Sequence, residues 1–63
     1  MTKEEFYDLK IGDKVFDVEL GEEGVIEVLG RGEVYVSYPH DSYTIYSYDI
    51  NDDPECYLSL KKV

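Results

Sequence analysis

Few residues in this chain could carry covalent chemistry. There is one histidine, His40, and one cysteine, Cys56. A thiolate–imidazole pair would suit nucleophilic catalysis, but it needs the two in hydrogen-bond reach and a third group to orient the base. Their spacing imposes no such contact. His40 follows Pro39 in a turn, where solvent-exposed loop histidines belong, and Cys56 reads as a small hydrophobe at a strand start. Carboxylates are plentiful, yet a chain this short offers no deep cleft to separate the pKa values of an acid and a base. The expectation is a protein that is not an enzyme.

Metal and phosphate chemistry fare no better. Asp49, Asn51 and Asp53 fall at positions 1, 3 and 5 of the calcium-loop pattern, but its glycine position is Pro54 and its bidentate glutamate position is Leu60. A solvated acidic loop is the reading. Gly30-Arg31-Gly32 is a turn without the lysine of a phosphate-binding loop. No cofactor is expected.

Charge and tyrosine carry more information. Fifteen acids oppose six bases for a net charge of −9. Between Val15 and Leu60 lie eleven acids, among them Glu19, Glu22, Glu23, Glu27, Asp49, Asp52, Asp53 and Glu55, opposed only by Arg31. The lysines stand at the two ends. Such a surface disfavours direct binding to nucleic acid or an anionic membrane, both of which reward clustered Lys and Arg. It favours a basic partner, or simple solubility. Of seven tyrosines, Tyr35, Tyr38, Tyr43, Tyr46, Tyr48 and Tyr57 exceed what a thin core can hold. Two to four should be exposed, and beside carboxylates they would form a face of rigid apolar area with hydroxyls for hydrogen bonds. Cross-strand aromatic pairing that only stabilises the sheet is the plainer alternative.

The elements that position these residues follow from residue type. Sixty-three residues with 43% hydrophobic content make one domain, residues 1–63, with a thin core. There is no alanine and no tryptophan, against seven valines and four isoleucines, so strands are favoured over helices. Thr2 with Glu5 is a capping-box pattern and predicts a short helix over residues 3–9. Strands are predicted over residues 14–19, 25–29, 34–38, 43–49 and 57–61. The connections are Ile11-Gly12-Asp13, Gly21-Glu22-Glu23-Gly24, Gly30-Arg31-Gly32, Pro39-His40-Asp41-Ser42 and Asn51-Asp52-Asp53-Pro54. The predicted core is Phe6, Leu9, Val15, Ile26, Val28, Val34, Val36, Ile45, Leu58 and Leu60. In the first two strands Phe16 and Val18, or Val25 and Leu29, compete for the inner face. Five short strands at this spacing point to an all-β, five-stranded antiparallel barrel with the helix as a lid. No apolar run approaches a membrane span, and the acidic N-terminus does not suit a signal peptide, so a cytoplasmic location is expected.

The stretch LKIGDKVFDVELGEEGVIEVLGRGEVYVSY resembles the opening of SH3-like barrels of the KOW and Tudor kind. Gly12-Asp13-Lys14-Val15, Gly24-Val25-Ile26 and Val34 to Tyr38 carry the likeness, which extends over about residues 9–48. It is also similar to short phage and prophage proteins with the same opening. The resemblance implies an SH3-like barrel. KOW-type domains that bind nucleic acid are basic on the loop after the first strand, whereas here that loop holds Glu19, Glu22 and Glu23. Two functions are therefore expected of this surface. The first is a phage-type inhibitor of a host defence protein, anti-CRISPR or anti-restriction, acting in the host cytoplasm by DNA mimicry on the partner's basic nucleic-acid site. The alternative is an SH3/Tudor-like module docking a protein or peptide in a larger assembly. The expected contacts are Glu19, Glu22, Glu23 and Glu27 with Asp49, Asp52, Asp53 and Glu55. Tyr43, Tyr46 and Tyr48 would be the anchors between them. The oligomeric state stays open.

Overall fold

Thr2 and Glu5 close the capping box that their spacing predicts: the Thr2 hydroxyl accepts from the Glu5 amide at 3.1 Å, and the Glu5 carboxylate accepts from the Thr2 amide at 2.8 Å. A computed structural model of the chain describes residues 1–63, the side chain of Ser42 lying outside the description. The helix α1 spans Lys3–Tyr7, shorter than predicted, and sends Phe6 into the core, followed by Leu9. Five strands follow: β1 Lys14–Asp17, β2 Glu22–Gly30, β3 Glu33–Tyr38, β4 Asp41–Asp49 and β5 Leu60–Lys62. They form one antiparallel sheet in the order β4-β3-β2-β1-β5. The protein is mostly β with one short helix. Among the described residues no ladder joins β4 to β5, so by its hydrogen bonds the sheet is open.

The boundaries shift for identifiable reasons. β1 ends at Asp17 rather than residue 19 because the Asp17 carboxylate accepts the amides of Glu19 and Leu20 at 2.8 and 3.0 Å, turning the chain. β2 starts at Glu22, so most of the predicted Gly21–24 loop is strand. Only Gly21 there takes a positive φ, +68°. Gly24 is a glycine for a different reason: a Cβ would stand 2.6 Å from the Tyr38 ring and from a Val36 methyl. The β3–β4 turn is Pro39-His40, and Asp41 already belongs to β4. Cys56–Ser59 is a 3-10 turn, not the start of a strand.

The core holds seven of the ten predicted residues: Phe6, Leu9, Val15, Ile26, Val34, Val36 and Leu60. Val28, Ile45 and Leu58 are corrections, all about half exposed. Val28 follows a register shift between Ile26 and Val28, where Glu27 is an extra residue that reverses the inward alternation. Ile45 loses its place because cross-strand partners share a face. Val34 pairs with Tyr48 and Val36 with Tyr46, so the even-numbered residues of β4 point inward. Leu58 lies in the 3-10 turn, whose period is not that of a strand. Tyr38, Tyr48, Ile50 and Cys56 fill the space instead. The competition in β1 resolves to Val15 inside, with Phe16 half-buried and Val18 exposed.

Candidate functional site: an acidic cleft and a glutamate-lined groove

The same alternation that buries Tyr48 brings two distant acidic segments together. Leu20 and Glu19, beyond the end of β1, face β4 and the loop that follows it across a cleft of about 370 Å³. Asp17, Glu19, Asp49, Asp52 and Asp53 line it together with Tyr46, Tyr48 and Cys56. No lysine or arginine does.

Its floor is a hydrogen-bonded chain. The Tyr48 hydroxyl donates to the Asp17 carboxylate at 2.5 Å, and the Tyr38 hydroxyl stands 2.7 Å from that of Tyr48. With the Tyr48 proton on the Asp17 side, Tyr38 is the donor to Tyr48. Asp17 is the sole buried acid among the described residues, and both its oxygens are engaged. Burial, reinforced by the hydrogen bond to Asp17, pushes the Tyr48 phenol far above its ordinary pKa, and burial raises that of Tyr38.

The late loop is shaped by its own acids. The Asp49 carboxylate accepts the Asn51 amide at 2.9 Å, and its carbonyl accepts the amides of Asp52 and Asp53 at 3.1 and 2.8 Å. The Asp53 carboxylate accepts the Glu55 amide at 3.2 Å. These are Asx turns, which fold the loop without a ligand. Among the described residues no three His, Cys, Asp or Glu side chains gather as a metal cage would need.

A second concavity, about 670 Å³, lies over β2, β3 and β4. Glu22, Glu23 and Glu27 border it, around Gly24, Val25, Ser37, Tyr38, Pro39 and Ile45, with Lys14 as its one cation. The expected first-hairpin cluster is therefore divided. Glu19 joins Asp49, Asp52 and Asp53, while Glu22, Glu23 and Glu27 form a separate group. Glu55 is exposed and lines neither. The expected anchors divide too. Tyr43 is 98% exposed, Tyr46 is half-buried, and Tyr48 is a core residue that cannot serve as a surface anchor. Odd and even positions of one strand face opposite ways.

Glu22 has a role that sequence spacing does not disclose. It accepts the backbone amide of His40 at 3.0 Å and forms an ion-pair contact with His40 Nδ1. His40 Nε2 stands 3.1 Å from the Tyr46 hydroxyl, and the Tyr46 ring meets that of Tyr38 edge-on at 5.2 Å. Glu22 thus fastens the β3–β4 turn to the start of β2. Residues eighteen apart meet through the register of the β2–β3 hairpin, in which Val25 stands opposite Ser37. Cys56, by contrast, is buried at the base of the acidic cleft, and burial, then Asp53 and Asp49, raise its thiol pKa. No helix among the described residues is long and apolar enough to cross a membrane.

Compared with known proteins, the chain matches no family model, no curated protein and no solved structure.

Proposed function

We propose that this chain is a non-catalytic acidic binding protein that occupies the cationic nucleic-acid site of a partner protein. One observation carries the reading: the acids are displayed and unneutralised. Of fifteen acids only Asp17 is buried, and Glu22 with His40 is the one ion pair among the described residues. The charge density suits the role. The molecule is 26 Å in its longest extent, and a duplex of that length carries about 15 phosphates at one per ~1.7 Å. Carboxylates on both sides of a rigid sheet would meet a basic groove made for a backbone, with fast, salt-sensitive association. The likeness of residues 9–48 to short phage and prophage proteins favours, as the partner class, host defence effectors that grip nucleic acid in the host cytoplasm.

The SH3-like barrel is part of the same reading. Support for it comes from the last strand returning beside the first, from β2 serving both halves of the sheet, and from the bond between Asp17 of β1 and Tyr48 of β4. A specific observation also favours a second function, docking of a cationic peptide in the acidic cleft, where Tyr46 stands among Glu19, Asp49, Asp52 and Asp53.

The test is a tagged pull-down from bacterial lysate, eluted with duplex DNA and identified by mass spectrometry. Release of a nucleic-acid enzyme by DNA is the expected result; a partner that DNA fails to displace overturns mimicry. Two exposed charge-reversal pairs then separate the functions. Mimicry expects both Glu23→Lys with Glu27→Lys and Asp52→Lys with Asp53→Lys to weaken binding and flatten its salt dependence. Docking expects only the second pair to matter.

A further inference from the structure

Residues 42–48 are the longest run in the chain free of charge, glycine and proline. In a chain that is 33% charged, they fall on β4, one of the two edge strands of the sheet. Tyr, Thr and Ile are strand formers, and an unpaired edge of such residues is a template for another strand. Natural edges are blunted by lysine, proline, bulges or shortness. Here β4 runs nine residues, Asp41–Asp49; residues 42–44 bulge between the pairs Tyr38–Asp41 and Ser37–Ile45, and the regular edge is the five residues from Ile45 to Asp49.

The backbone groups that would receive a strand can be named. Gly30 and Glu33 flank a two-residue turn and so form a hydrogen-bonded pair. Alternation then turns Val34 and Val36 toward β4, where they bond to Tyr48 and Tyr46. Ile45 and Ser47, between and beside these, present their N–H and C=O groups away from the sheet. Among the described residues, no backbone bond outside the sheet reaches either one. On the outer face Tyr43 is 98% and Ile45 49% exposed, and Ile45 closes the row Val25, Ser37, Ile45 that floors the larger groove. An added strand would continue that row.

Charge selects the occupant. Asp41 stands at one end of the uncharged run, and Asp49, Asp52 and Asp53 at the other, with Glu19 across the cleft. A second copy of this chain fits poorly: antiparallel pairing about Ile45 would set Asp41 against the other copy's Asp49, between two molecules of charge −9. A segment with a β-branched centre and lysine or arginine toward both ends meets the edge and its flanks together. We propose that the β4 edge takes up such an extended, cation-flanked segment of a partner protein as a sixth strand. This goes beyond the surface mimicry above and stands or falls without it.

The experiment uses the whole chain, labelled for amide NMR, with two synthetic probes. Both peptides alternate threonine and valine; one has lysines at both ends, the other glutamates. The expected result is that the lysine peptide shifts the Ile45 and Ser47 amides and slows their hydrogen exchange about tenfold or more, while the glutamate peptide does neither. Ser47→Pro removes an outward N–H and keeps the bonds of Tyr46 and Tyr48 to β3, so it should abolish the response. Ile45→Lys, at an exposed side chain, should abolish it as well and carries the test if the proline variant does not fold. Unprotected Ile45 and Ser47 amides, or an equal response to both peptides, overturn the proposal. Protection that grows with protein concentration in the absence of peptide also overturns it, in favour of a second copy.

Discussion

The hydroxyl of Tyr48 on β4 donates to the carboxylate of Asp17 on β1 across 2.5 Å, although β3 and β2 lie between their strands in the sheet. On a flat sheet, strands three places apart are roughly 14 Å from each other. The contact therefore requires the sheet to roll until β1 and β4 face, which is also what encloses Val15, Val36 and Leu60 completely. Tyr48→Phe should cost about 1–3 kcal/mol, because it strips a donor from a buried carboxylate. Asp17→Ala should cost more, since the amides of Glu19 and Leu20 lose their acceptor as well. Urea unfolding measures both, and a Tyr48→Phe midpoint unchanged from wild type would show that the bond contributes nothing.

Alkaline pH should loosen the fold through the same pair. Folding raises the phenol pKa of Tyr48 and Tyr38, chiefly by burial, so the native state holds their protons more tightly than the unfolded chain does. The stabilisation is complete below the ordinary tyrosine value of about 10 and is lost as pH rises above it. Stability measured by urea titration should therefore fall from about pH 10 upward, more gently in Tyr48→Phe. A flat profile through that range is the contrary result.

Two glycines of β2 should respond differently to a methyl group. In Gly24→Ala the new Cβ would lie 2.6 Å from the Tyr38 ring and a Val36 methyl, both packed in the core. A loss of about 1–3 kcal/mol is expected from that overpacking. In Gly30→Ala the close atom, at 2.8 Å, is the flexible carboxylate end of Glu33, which can swing aside. That variant should stay within about 0.5 kcal/mol of wild type. Thermal melts of the two variants decide it, and equal losses would refute the distinction.

The thiol of Cys56 should be sluggish in the folded protein. It is 6% exposed, and burial together with the nearby Asp53 and Asp49 disfavours its thiolate. Reaction with a disulfide reagent near pH 8 should speed up about tenfold or more in denaturant, where access and thiolate character are both restored. Equal rates in the two states would mean that the core around the 3-10 turn opens freely.

How far these features were legible varies from residue to residue. The capping box at Thr2 and Glu5, the turns at Gly12 and Gly32, and the shared face of Val34, Val36 and Tyr38 are local: each is set by neighbours within a few positions. The acidity is a matter of counting, and the antiparallel, mostly β architecture follows from residue type and spacing. What needed the tertiary structure was everything that depends on register. A single extra residue at Glu27 turned Val28 outward, and pairing with Val34 and Val36 chose Tyr46 and Tyr48 over Ile45 for the inner face of β4. Period-two alternation states that two faces exist but not which is buried, because that choice is made by the strand opposite. For the same reason Glu22 meeting His40, and Glu19 sharing a cleft with Asp49, Asp52 and Asp53, had no local signature. The sequence alone determined how much charge the protein displays; the rolling of the sheet decided which charges stand together.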